Sequence, residues 1–125
     1  MKMAVTKASI EKKVWNLCLC KKKHKDYPAA VVGAILHNSW AVAENGLPSP
    51  PIAIQLKNRL EGRLGRLGTI LSGNPIGMCA EVGAANKILR TRPTVSANKL
   101  IFTTAIRPRT MQKVPMCLNC LTTFR

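Results

Sequence analysis

Acidic residues are nearly missing from this 125-residue chain: five Asp and Glu stand against 20 Lys and Arg, a formal charge of +15. Aromatics are as scarce, with Trp15, Tyr27, Trp40, Phe102 and Phe124 forming the whole set. That excludes an aromatic core and requires one of Ile, Leu, Val and Ala. Long apolar runs are missing too. The longest, Ala29 to Leu36, is far short of the roughly 20 residues a membrane-spanning helix needs. Lys2 and Lys7 lie near the start, but no apolar segment follows them as in a secretory signal peptide. The start is therefore cytosolic in character or belongs to a domain cut from a longer chain; localisation is otherwise unknown.

The length is that of one domain, which buries roughly 65% of its unfolded surface. Residues 1–28 read as a basic N-terminal helix and connector, and 29–120 as the core. So large a positive charge repels itself in a compact chain and calls for a polyanionic partner. Nucleic acid leads, ahead of an anionic membrane surface, an acidic protein, or a basic face that only keeps the protein soluble. The five cysteines, Cys18, Cys20, Cys79, Cys117 and Cys120, are odd in number and include close pairs. Such a pattern favours metal ligation or redox chemistry over a disulfide framework.

Ile10, Val14, Leu17 and Cys18 recur at helical spacing and predict a helix over Thr6–Cys20, with Lys21–Lys25 as a solvated connector. Ala29–Leu36 and Trp40–Ala43 predict a β-hairpin around His37-Asn38-Ser39, ended by Asn45-Gly46 and a loop with Pro48, Pro50 and Pro51. Ile52, Leu56, Leu60, Leu64 and Leu67 predict a second helix, frayed near Gly65. Ser72–Pro75 reads as a turn and Met78–Leu89 as a third helix. Lys99–Ile106 reads as a strand, Arg107–Pro115 as a basic loop and Met116–Phe124 as a last helix. The order implies a small three-layer α/β/α domain, a short mixed sheet with helices on both faces.

Cys79-Ala80-Glu81 opens one predicted helix, and Cys117-Leu-Asn-Cys120 opens another. Cysteines three apart at a helix N-terminus can address one ion, and free backbone N–H groups there favour the thiolate. Cys79 as third ligand leaves one tetrahedral position open, the arrangement of a catalytic rather than a closed structural zinc site. Glu81 then lies where it can accept a proton from water without binding the metal. It is also the only acidic residue from Gly62 onward. A structural zinc, a redox pair or inert thiols remain the alternatives.

Cys79-Ala-Glu81 together with Pro115-Met-Cys117-x-x-Cys120 resembles the cytidine deaminase-like superfamily, whose signature pairs H/C-x-E with P-C-x-x-C. The stretch Cys79–Leu89 resembles the bacterial toxin-type deaminases, the YwqJ-like branch in particular. The match runs from about Ala29 to Cys120, with Met116 inserted where the family has Pro next to the cysteine pair. The chain ends five residues after Cys120, so the resemblance implies a minimal branch of the fold or a truncated C-terminus. It further implies one Zn2+ ion, hydrolytic deamination of cytosine (adenine second), and Glu81 as proton shuttle. Asn45 and Ala80 would be substrate contacts. The substrate would be nucleic acid, single- or double-stranded DNA before RNA, and the chain a toxin effector domain acting in a target-cell cytoplasm, with an immunity protein as a further partner.

Trp40 is a candidate for base stacking or for the core. Arg107, Arg109 and Lys113 are candidates for phosphate contacts beside the metal, as are Arg59, Arg63 and Arg66 on the second helix. Cys18, Cys20 and His24 form a weaker candidate for a second metal site. Two other functions fit: a free nucleoside deaminase, disfavoured by the charge and by the long Asn45–Cys79 interval, and a non-catalytic zinc module that binds nucleic acid.

Overall fold

A computed structural model describes residues 5–46, 51–71 and 73–124. Pro48, Pro50 and Ser72, expected in a loop and a turn, lie outside them. The first helix, α1 (Lys7–Lys23), is capped by Thr6, whose Oγ1 accepts from the Ser9 N–H at 3.1 Å. It runs on through Lys21, Lys22 and Lys23, expected in a connector, because cations in the last turn suit the negative end of the helix dipole. Ile10, Val14 and Cys18 are its buried stripe.

Strands β1 (Val31–Leu36) and β2 (Ser39–Glu44) form the expected hairpin, in antiparallel register from Val31 opposite Glu44 to Leu36 opposite Ser39. Every residue of β1 is buried, so it is the central strand with layers on both faces. Val31 packs with Val14, Cys18 and Ile106 on the α1 side, while Val32, Ala34 and Leu36 join the larger core on the other. Alternation along one strand thus separates the two layers.

The larger core is closed by α2 (Ile54–Arg63) and α3 (Ala80–Leu89). α2 ends where fraying is expected, with Gly65 at φ +123°. Leu56 and Leu60 are its buried residues. Nearly all of α3 is buried, and Gly83 lets it lie against β2: a Cβ there would meet that of Ala43 at 3.2 Å. The buried Asn86 amide ties α3 to the start of α2, accepting from the Ala53 N–H at 2.8 Å.

The strand expected over Lys99–Ile106 is interrupted. A 3-10 turn (Ala97–Lys99) leads into β3 (Ile101–Phe102), followed by β4 (Ala105–Arg107), and both pair with β1 along one edge. Thr103 bridges the gap, its N–H donating to the Gly33 carbonyl and its Oγ1 accepting from the Gly33 N–H, each at 2.9 Å. The basic loop expected over Arg107–Pro115 is instead a hairpin, with β5 (Gln112–Val114) antiparallel to β4. A separate two-stranded ribbon pairs Ile70–Leu71 with Asn74–Pro75, and α4 (Leu118–Phe124) completes the domain. This is the small α/β domain expected, with four helices and five strands in the main sheet among the described residues, every described pairing antiparallel. No helix among them is long and apolar enough to cross a membrane.

Close packing of α1 on the sheet depends on Gly33, where an added Cβ would meet Ile10 Cγ2 at 2.5 Å. We expect Gly33→Ala to cost about 1–3 kcal/mol through overpacking. Gly62, inside α2 with nothing within 4 Å of its Cβ position, should instead gain about 0.5–1 kcal/mol on replacement by Ala. Paired denaturant titrations of the two variants check the contrast.

Candidate metal centre

Two helix N-termini meet at one end of the sheet. Cys79 is the N-cap of α3, held in place because the Gly46 N–H at the end of the hairpin donates to the Met78 carbonyl at 2.8 Å. Cys117 precedes α4 and its carbonyl accepts the first helical bond, from Leu121 N–H at 3.0 Å. Cys120 follows in the first turn, buried in the core. The Sγ atoms of Cys79, Cys117 and Cys120 all lie within 4.8 Å of one another, and Cys79 Sγ and Cys117 Sγ are 3.0 Å apart.

The electrostatics assign the charge to one sulfur. Cys117 is held far below the usual thiol range, first by hydrogen bonds from the Cys120 and Cys79 thiols and further by the backbone N–H groups of Cys120 and Asn119. Cys79 is pushed up to about 12, chiefly as donor to Cys117. Cys120 is pushed up as well, by Cys117, then Cys79, then burial. A divalent ion would let all three ionise. Tetrahedral zinc–thiolate bonds of about 2.3 Å put sulfurs about 3.8 Å apart, within the spread seen here. The three cysteines therefore fit a metal ion such as zinc as a trigonal set, with a fourth position left for another ligand.

That cluster borders a cleft of about 380 Å³ lined by Cys79, Cys117, Glu81, Asn45, Ala80 and Arg107, among others. Glu81, in the first turn of α3, is only 6% exposed. Burial raises its pKa above the ordinary carboxylate value, partly opposed by its own backbone N–H, and the Cys117 charge raises it further. Among the described residues no cation pairs with it. Asn45 is anchored by a two-way bond to Ala30: its N–H donates to the Ala30 carbonyl and its Oδ1 accepts from the Ala30 N–H, both at 3.2 Å.

The remaining sequence candidates are dispersed. Trp40 is 44% exposed beneath Lys13 Nζ at 4.8 Å, five residues up β2 from Asn45, about 16 Å along an extended strand. Lys113 pairs with Ile106 and so shares the α1 side of the sheet, away from the cleft. Arg109 lies in the β4–β5 turn over the Tyr27 ring. Arg59 and Arg63 donate to the Thr123 and Thr122 carbonyls at the end of α4, so both are engaged within the fold. Cys18 is a core thiol, raised to about 11 by burial and set against the Ile106 carbonyl at 3.8 Å, while Cys20 is exposed. Among the described residues the Cys79 cluster is the one group of three or more such ligands.

Sequence reasoning missed Asn119. Its buried Nδ2 donates to the Leu71 and Asn74 carbonyls at 2.9 and 3.2 Å. It thereby ties the small ribbon, whose Asn74 and Pro75 line the cleft, to the cysteine pair. Nothing in the residue spacing marks it, since the ribbon it holds is not visible in the hydrophobic pattern.

Since thiol protons must leave when a metal binds, zinc affinity should rise with pH through the thiol range. We expect the parent protein to bind one zinc, to lose melting temperature on chelation, and to show thiolate-to-cobalt charge-transfer absorption when loaded with Co2+. Cys120→Ser should abolish the tight site, as read by metal analysis after gel filtration. Comparison with known proteins finds no match to this chain among protein-family models, curated proteins or solved structures.

Proposed function

We propose that this domain is a zinc-dependent hydrolytic deaminase that converts cytosine to uracil in nucleic acid, DNA before RNA. The observation that carries the reading is the buried Glu81 carboxyl at the same cleft as three convergent cysteines. A closed structural zinc site has no use for a desolvated carboxyl beside it, whereas proton transfer to and from water does.

A zinc ion on the three thiolates would supply Lewis acidity and lower the pKa of water at its open position. The chain's own residues supply the rest. Glu81, with its proton affinity raised by burial, takes a proton from the attacking water and delivers it to the ring nitrogen next to the amino-bearing carbon. The water oxygen bonds to that carbon, the carbon–amino bond breaks, and ammonia leaves with the water's second proton, relayed by the same carboxyl. Asn45 orients the nucleotide through its Nδ2 group. The Ala80 side chain is small enough to leave the space beside the cysteines to the base.

The formal charge of +15 supports a polyanionic substrate over a neutral nucleoside. Glu81→Gln should retain zinc and lower the conversion rate by about 10²–10⁴-fold, the usual contribution of general acid–base catalysis. Sequencing of mixed DNA and RNA pools treated with zinc-loaded parent and variant checks this. Conversion by the variant at the parent's rate would remove Glu81 from the mechanism. No conversion of any base by the parent would make the centre a non-catalytic zinc module.

A further inference from the structure

Tyr27, the chain's single tyrosine, is 46% exposed in the segment between α1 and β1. The guanidinium of Arg109 lies over its ring, 5.8 Å from the centroid. Each partner is two residues from a residue lining the cleft: Ala29 in one case, Arg107 in the other. Two residues span at most about 7 Å, so each partner's Cα lies within that distance of a residue lining the cleft. Arg107 is the only cation among the described residues that line the cleft itself.

We propose that Tyr27 and Arg109 form a docking platform for a single-stranded polynucleotide, seating the base next to the one that enters the cleft. This rests on the nucleic-acid substrate proposed above and specifies the form it takes. An exposed tyrosine face offers stacking to any base, and a guanidinium beside it adds a cation for the neighbouring phosphate. The stacking requires an unpaired strand, whereas the phosphate contact does not. A base inside a duplex keeps its faces covered by its neighbours, and Glu81, buried at the cleft, is reachable only by a base that has left the stack. The two other exposed aromatics, Trp15 and Trp40, do not line the cleft, and Trp40 stands at the far end of β2.

The test is fluorescence anisotropy with the zinc-loaded full chain carrying Glu81→Gln, so that binding is read without turnover. The probe is a labelled 15-residue deoxyoligonucleotide with one central cytosine, with the matching duplex in parallel. Added Tyr27→Ala should weaken single-strand binding about ten-fold or more, the scale of one lost base–aromatic stack. Tyr27→Phe should restore it, and Arg109→Ala should lower the salt slope by about one. Trp40→Ala should leave binding within two-fold.

The proposal is overturned if Tyr27→Ala binds like its parent. It also fails if Trp40→Ala weakens binding equally, if Tyr27→Phe does not restore it, or if the duplex binds more tightly than the single strand. The binding result stands apart from the chemistry. Absence of deamination would defeat the functional reading alone, while deamination with an unaffected Tyr27→Ala variant would defeat the platform alone.

Discussion

The convergence of two helix N-termini on three sulfurs is the constraint around which this small domain is arranged. Cys79 begins α3 and Cys117 precedes α4, so both helices direct their unpaired N–H groups and positive dipole ends at the same point. Neither helix could shift along its axis without separating the cysteines. α3 is fixed by Gly83 against Ala43 and by the Asn86 amide. α4 is fixed by Cys120 and Phe124 in the core, with the Phe124 and Phe102 rings tilted at 58° and their centroids 4.8 Å apart.

The shortage of acidic groups acquires a structural meaning once their positions are known. Asp26 and Glu44 share Lys21 Nζ, at 3.0 and 2.5 Å, and Glu61 lies 3.9 Å from Lys57. Three of the five acids are thus offset by lysines, and Glu81 is buried at the cleft. Little negative charge remains on the surface to oppose a polyanion. Several cations are equally committed, with Arg59 and Arg63 at the end of α4 and Lys87 donating to the Val42 carbonyl at 2.7 Å. The formal charge therefore overstates what any one face presents, and Arg107 is the cation that lines the cleft among the described residues.

Legibility in the sequence followed the range of the interaction concerned. Helical stripes such as Ile10, Val14 and Cys18, and the hairpin around His37, are local patterns and read correctly. The interval Arg107–Pro115 read as a loop because β5 is three residues long and carries Gln112 and Lys113, poor strand formers whose pairing comes from β4. The break at Thr103 depends on Gly33, seventy residues earlier, and no window along the chain contains both. The three cysteines were readable because metal chemistry restricts residue type and spacing at once. Asn45 was placed by resemblance, and its two-way bond to Ala30 explains how a loop residue comes to hold a fixed position. Asn119 and Tyr27 carried no such signature, since what distinguishes them is their contacts.

Burial and charge act in opposite directions on the two reactive groups of the cleft, and that opposition is informative. Glu81 stands near the N-terminus of α3, where the helix dipole and its own N–H favour the carboxylate, yet desolvation prevails and its proton affinity rises. Cys117 is also partly buried, but the two thiols and two backbone N–H groups around it prevail and it holds the negative charge. Lying at one cleft, the pair places a ready thiolate beside a carboxyl that keeps protons more readily than usual. A cation would answer the first and a proton-transfer reaction the second. A buried carboxyl with no cation beside it among the described residues costs stability that an apolar residue would not. These opposed shifts accompany the geometry that carries the proposed function: three convergent sulfurs and a buried carboxyl at one cleft.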